Sequence, residues 1–243
     1  MPRSVAINVG ANTTLPGFRG PIYPDGRFTY VPIPEREPTA HAVPTYADLA
    51  GELDLPFSIP SDLLDRQVHL DPAFEGYPFC EATTYGDEHG VKAGPISTLQ
   101  EGEYLLFYAT LSTVEPPRFD WLTPEWGVYL IGAIRLASDP ITSVQFQDLS
   151  SEQQARYATN AHCKRAEFDA KVLVRGEPTD SGLFERAIPL SSSDAGTTAN
   201  PVVTDLAGDS GRGPWWRRVL RFDEDATATV LDLREKPGAA HSV

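Results

Sequence analysis

Two apolar runs, Tyr104–Leu111 and Val128–Leu136, constrain this chain more than any other stretch. Both are rich in aromatic, β-branched and aliphatic residues, and both are flanked by Gly, Pro and acidic turns. That composition reads as two buried strands rather than two helices. The connection between them carries Glu115-Pro116-Pro117 and the segment from Trp121 to Trp126. It is too long for a tight hairpin and reads as a lid or binding loop. Strand periodicity predicts that the rings of Tyr104, Phe107, Tyr108 and Tyr129 alternate between a packed core and a cleft, with at least one lining a pocket.

Around this pair the chain offers shorter elements. Val5–Val9 is an apolar strand, and Asp25-Gly26 is placed for a hairpin turn leading into a strand at Phe28–Val31. Residues 36–68 are irregular, with short helices expected at Tyr46–Leu53 and near Ser61–Arg66, where Ser61 can cap. Ser150 with Gln153 three residues later forms a capping-box signature for a helix running to about Ala161. Lys171–Arg175 is a strand. Residues 191–213 are rich in Ser, Gly, Thr and Ala without periodicity, which predicts a long mobile loop. The pattern is that of an α+β protein with a mixed, mainly antiparallel sheet or small open barrel and about four flanking helices. It is expected to be a single domain over 1–243, with 1–98 an N-terminal elaboration and 99–190 the core sheet and helix. Residues 191–213 would be the loop, and 214–243 a C-terminal segment and tail.

Charge is the strongest compositional signal. There are 34 acidic residues against 20 basic, a formal net charge of −14, and the basic residues are 16 Arg but only Lys92, Lys164, Lys171 and Lys236. An acidic surface of this kind suits a halophilic protein, because in molar salt the Debye length falls to about 3 Å and self-repulsion is screened. Under those conditions a low isoelectric point does not exclude a nucleic-acid partner. No stretch approaches the roughly 18 apolar residues that span a bilayer. The start, MPRSVAINVG, lacks the apolar segment of a signal peptide. These features predict a cytoplasmic protein with no membrane partner. Cys80 and Cys163 lack metal-ligand spacing and predict no disulfide framework. The five histidines form no HExxH or similar zinc signature, so the sequence names no metal ligands and no cofactor.

Three regions carry candidate chemistry. After the first strand, the loop Gly10–Pro21 is polar and Gly-punctuated, and there Asn12 and Arg19 are candidate ligand contacts; it matches neither a Walker loop nor a dinucleotide fingerprint. The segment His69–Asp87 concentrates ionisable groups beside aromatics and turns. His69 and Asp71, two apart on an extended chain, project to one side as an imidazole–carboxylate pair. Glu75 and Asp87 add carboxylates for acid–base work, and Tyr85 adds a candidate ligand contact. Alternatively, Asp71-Pro72 is only a turn or helix start capped by His69. The helix end Asn160-Ala161-His162-Cys163-Lys164-Arg165 either complements the helix dipole or presents Asn160, His162 and Arg165 to a base or phosphate. Arg19, His69, Asp71, Asn160 and His162 are expected to surround one polar ligand site. Finally, Trp215, Trp216, Arg217 and Arg218 interleave aromatic and cationic groups, which can stack on bases and meet phosphates or equally pack a core and pair with acids.

Four stretches, INVGANTTLPGFRGPIYPDGRFTYVPIPE, HLDPAFEGYPFCEATTYGD, NAHCKR and LFERAIPL, together resemble the third of the nucleotide-modification-associated domain families. The resemblance runs over roughly residues 5–222. It implies a setting in DNA base modification, with a nucleotide or DNA base as ligand and DNA-modification proteins as partners; it assigns no catalytic residue. The strand pair EGEYLLFYATL and GVYLIGAIRLA is also similar to barrels of the pseudouridine-synthase-associated type, which hold a base in an aromatic cleft. Three functional classes follow. One is an enzyme or enzyme component acting on a nucleotide or base; the others are a non-catalytic reader of a modified base and a structural or partner-binding subunit.

Overall fold

A computed structural model describes residues 2–243. Its strands, in chain order, are Ser4–Asn8 (β1), Gly20–Ile22 (β2), Thr84–Asp87 (β3), Tyr104–Thr113 (β4), Trp126–Arg135 (β5) and Ile141–Thr142 (β6). Val172–Arg175 (β7), Gly182–Pro189 (β8), Ser191–Ser192 (β9), Ala195–Ala199 (β10) and Leu220–Phe222 (β11) follow. The helices are Tyr46–Glu52 (α1), Gly90–Ile96 (α2), Ser143–Asp148 (α3), Ser151–Ala155 (α4), Ala161–Lys164 (α5) and Glu224–Asp232 (α6). A π-helical turn at Val202–Leu206 adds a seventh helix among the described residues. The class is α+β, with more helices than the four expected. α3, started by a capping box at Thr142, is among the additional ones and buries no residue, while the helix expected from Ser150 stops at Ala155 (α4), short of Ala161, and buries none either. A helix without an apolar stripe has no periodic signal to read.

The chain forms two compact units. The first comprises Met1–Val31, Tyr104–Ala133 and Leu183–Val243; the second comprises Pro32–Glu103 and Ile134–Gly182. In the first unit a six-stranded sheet runs β11-β1-β4-β5-β8, with β2 also pairing β4. β1 and β2 both lie parallel to β4, at Ser4↔Tyr104 and Gly20↔Leu111, while β11 closes antiparallel on β1 at Ser4↔Phe222. The sheet ends at β11 and β8 and does not close into a barrel.

β4 and β5 are buried over eight consecutive residues each, so both faces of these strands are covered. This corrects the expectation of a half-open aromatic cleft: Tyr104 is 7% exposed, and Phe107, Tyr108 and Tyr129 are 0%. Continuous apolar runs without alternation are the mark of strands buried on both sides. Tyr104, Leu106 and Tyr108 pack with Val202, Val203, Trp215, Val230 and Leu233. The buried hydroxyls are satisfied inside: Tyr108 donates to the Arg218 carbonyl, and Tyr129 meets Thr123 Oγ1 at 2.8 Å. The connection from β4 to β5 is anchored by Trp121, 8% exposed. Its ring would lie 2.5 Å from a Cβ at Gly26, whose φ of +81° also requires glycine in the expected Asp-Gly turn.

Residues 191–213 are not the featureless loop their composition suggests. They contain β9, β10 and the π-helical turn, held because Val202 and Val203 are fully buried and Asn200 bonds the Pro189 carbonyl at 2.7 Å.

In the second unit β3, β7 and β6 form an antiparallel sheet in the order β3-β7-β6, registered by Thr84↔Arg175 and Ile141↔Leu173. Tyr157, Ala170 and Leu173 form a small core with Phe146 and Phe168, whose rings stack at 4.7 Å. The loops of 32–83 are tied down by isolated bridges, Pro34↔Val68, Thr39↔Arg165 and Ala73↔Thr84. These bridges bring the ionisable groups of three segments together.

Candidate functional site

The site lies in the second unit and starts from a two-strand bridge. Glu35 N–H bonds the Gln67 carbonyl, and His69 N–H bonds the Ile33 carbonyl, each at 2.8 Å. With Pro34 opposite Val68, the alternation of extended chains puts Glu35 and His69 on one face. Their side chains meet there, His69 Nδ1 to Glu35 Oε2 at 2.6 Å. Two residues on, Asp71 is held by β3: the Gly86 N–H bonds its Oδ2 at 2.9 Å and its Oδ1 at 3.1 Å.

The third segment is α5. Asn160 caps it by accepting the His162 N–H at 3.0 Å, which leaves its amide free to donate to Asp71 Oδ1 at 3.3 Å and Thr84 Oγ1 at 3.2 Å. His162 then places Nε2 3.3 Å from Asp71 Oδ2, and its Nδ1 bonds Asp169 Oδ1 at 2.7 Å. The two imidazoles stand edge-to-face, centroids 5.0 Å apart at 88°. Gly86 makes this approach feasible, because a Cβ there would lie 2.7 Å from His162 Cδ2 and 3.1 Å from Asn160 Oδ1. Arg165 closes the cluster. Its guanidinium bonds Glu35 Oε1 at 2.9 Å and Asp169 Oδ2 at 2.5 Å, and it also pairs with Glu88.

Burial and pairing set the charges. Burial pushes the Glu35 carboxyl up, but the bonds from His69 and Arg165 outweigh it and hold its pKa at about 2. Burial likewise opposes charge on His162, yet its bonds to Asp169 and Asp71 raise it to about 9. Asp169 is held well below the usual carboxylate range, the His162 bond outweighing burial, and Arg165 is raised above its ordinary value against its own desolvation by Glu35 and Glu88. The result is a buried array of acids and bases with fixed proton positions. Since an ionised carboxylate only accepts, Glu35 and Asp169 require the proton on Nδ1 of each imidazole, leaving the two Nε2 atoms toward Asp71.

Two groups in this array have donors close enough to hold a cation: His69, Asp71 and His162, and Glu88, His162 and Asp169. They share His162. In the second group Arg165 Nη1 already bonds both carboxylates, so a cation there would face a guanidinium.

Of the residues singled out from sequence, His69, Asp71, Asn160, His162 and Arg165 come together. Tyr85 and Asp87 occupy the other face of β3, where the Tyr85 hydroxyl donates to Asp87 Oδ2 at 2.8 Å and Lys92 Nζ lies 3.9 Å from the same oxygen. Glu75 is exposed, its N–H bonded to Thr83 Oγ1, and lies outside the cluster. Arg19 and Asn12 belong to the first unit: the Arg19 guanidinium sits 4.2 Å over the Trp126 ring, and Asn12 Oδ1 accepts from the backbone of its own loop. Trp215 is fully buried, with Nε1 bonded to the Thr197 carbonyl, so the expected stacking on nucleic acid is not open to it. Trp216 packs edge-on against Trp126, Arg218 bonds Asp209 at 2.7 Å, and Arg217 is exposed. Sequence reading missed Glu35 and Glu88, whose partners are fixed by tertiary contacts, and also Asp169, which the i,i+4 spacing from Arg165 could have signalled.

Among the described residues no helix is long and apolar enough to cross a membrane. No curated protein and no solved structure matches the chain. A family model described as nucleotide modification associated domain 3 matches residues 3–232, and the chain therefore belongs to that family.

Proposed function

We propose that this protein carries out a chemical step of nucleotide or DNA-base modification at the cluster of Glu35, His69, Asp71, His162 and Arg165. The observation that carries the reading is the convergence of two imidazoles on one buried carboxylate, each imidazole oriented by a second acid. Imidazoles fixed in orientation by acids, one of them held in its protonated form, and a buried setting are what proton transfer to or from a base or sugar needs. Membership of a family described by its association with nucleotide modification supports a nucleotide, or a base in nucleic acid, as the substrate class. The reader alternative needs an aromatic cleft, and the sealed rings of β4 and β5 do not favour it.

The test is the nucleoside composition of DNA and of the free nucleotide pool in the source organism, with the gene intact, deleted, and replaced by Asp71→Asn. Asn keeps the shape and removes the charge. The expected result is a nucleoside that changes on deletion and is not restored by the variant. Profiles identical in all three strains would overturn the reading.

A further inference from the structure

We infer that His69, Asp71 and His162 form a binding site for one first-row divalent transition-metal ion, with His69 Nε2, His162 Nε2 and Asp71 Oδ2 as ligands. The donor spacing fits. Asp71 Oδ2 lies 3.3 Å from His162 Nε2 and 3.9 Å from His69 Nε2, and the three residues' ligand atoms all lie within 4.8 Å of one another. Ligands bonded at roughly 2.0–2.2 Å to a common ion stand about 3–4 Å apart, a range that both Asp71 distances already meet, so closure on one ion asks for a shift of at most about an ångström between the two imidazoles.

The surroundings fit as well. A metal-bound imidazole characteristically donates its other N–H to a carboxylate, which fixes ring orientation and raises ligand basicity. Both histidines have that partner, Glu35 at 2.6 Å and Asp169 at 2.7 Å. Asp71 is itself steered by the Gly86 N–H and the Asn160 amide. Arg165 pairs with Glu35, Glu88 and Asp169 but not with Asp71, whose nearest side-chain charge partners are the two imidazoles, so a dication at Asp71 would add positive charge where the acids outnumber the cations Arg165 and Lys92. An ion would displace the proton by which His162 otherwise bonds Asp71, the proton release general to such sites. Two imidazoles and one carboxylate suit zinc or ferrous iron rather than magnesium or calcium, which prefer all-oxygen shells. Three protein ligands leave at least one coordination position for water or substrate.

The inference concerns the same cluster as the proposed function but stands on donor geometry alone, and its test separates the two. The full chain, stripped with chelator and dialysed, is titrated with Co²⁺ and with Zn²⁺, followed by d–d absorption, calorimetry and thermal melting. Uptake of one ion per chain is expected, with visible Co²⁺ bands and a raised melting temperature. His69→Gln and His162→Gln should each weaken binding 100-fold or more, Glu35→Gln 10–100-fold through ring orientation, and Glu75→Gln not at all. Failure of wild-type protein to bind stoichiometrically overturns the inference whether or not the variants fold. So does binding that survives in folded His69→Gln within threefold, which would mean exposed carboxylates hold the ion. One bound ion alongside unchanged cellular nucleosides would overturn the proposed function and leave the metal site standing.

Discussion

Arg165 is the residue on which the candidate site depends most for its charge balance. Its buried guanidinium reaches Glu35, Glu88 and Asp169, acids contributed by three separate segments. Removing one member of such a network leaves buried charge uncompensated, which typically costs about 3–5 kcal/mol. Arg165→Met should therefore lower stability by about that much in urea unfolding. Arg165→Lys should recover only part of it, because an ammonium cannot make the forked contacts. A Met variant within about 0.5 kcal/mol of wild type would show the network to be solvated and weak. At this scale the sequence was legible only where spacing is local. His69 and Asp71 are two apart, as are Asn160 and His162, although the sequence places the latter pair at a helix end and the structure has Asn160 capping the start of a new one, α5. Glu35 sits in a Pro-rich loop whose sequence carries no hint of His69; the Pro34↔Val68 bridge joins them.

At the scale of elements, the two apolar runs were readable as strands because eight consecutive apolar or small residues bounded by turns suit a strand buried on both faces. That continuity also contradicted an open cleft, since a half-exposed strand would have alternated. The adjacent tryptophans were harder, because neighbouring residues point in different directions and composition does not say which is inside. The structure puts Trp215 in the core beneath β4 and leaves Trp216 half-buried. Trp215→Ala is expected to cost about 3–5 kcal/mol, as large aromatic truncations in cores do, and Trp216→Ala clearly less. Chemical denaturation of both variants checks the order. Equal costs would mean that the two rings share the burial.

For the whole molecule, net charge gives the expectation and its test. With a charge of −14 and 16 Arg to 4 Lys, the melting temperature should rise between about 0.1 and 2 M salt as repulsion among acids is screened. A flat or falling melt curve would remove the halophilic reading. Charge and class were legible over the full length; the division into two units was not, because each unit is assembled from segments that interrupt the other in sequence. The chain passes between them after Val31, Glu103, Ala133 and Gly182. This interleaving has a consequence in time. Every residue of the unit bearing the acid–imidazole cluster has been synthesised by Gly182, whereas β1, made before that unit, waits for its antiparallel neighbour at Leu220–Phe222. A nascent chain that has passed Gly182 but not reached Leu220 thus holds all the cluster segments, while one edge of β1 still lacks its partner.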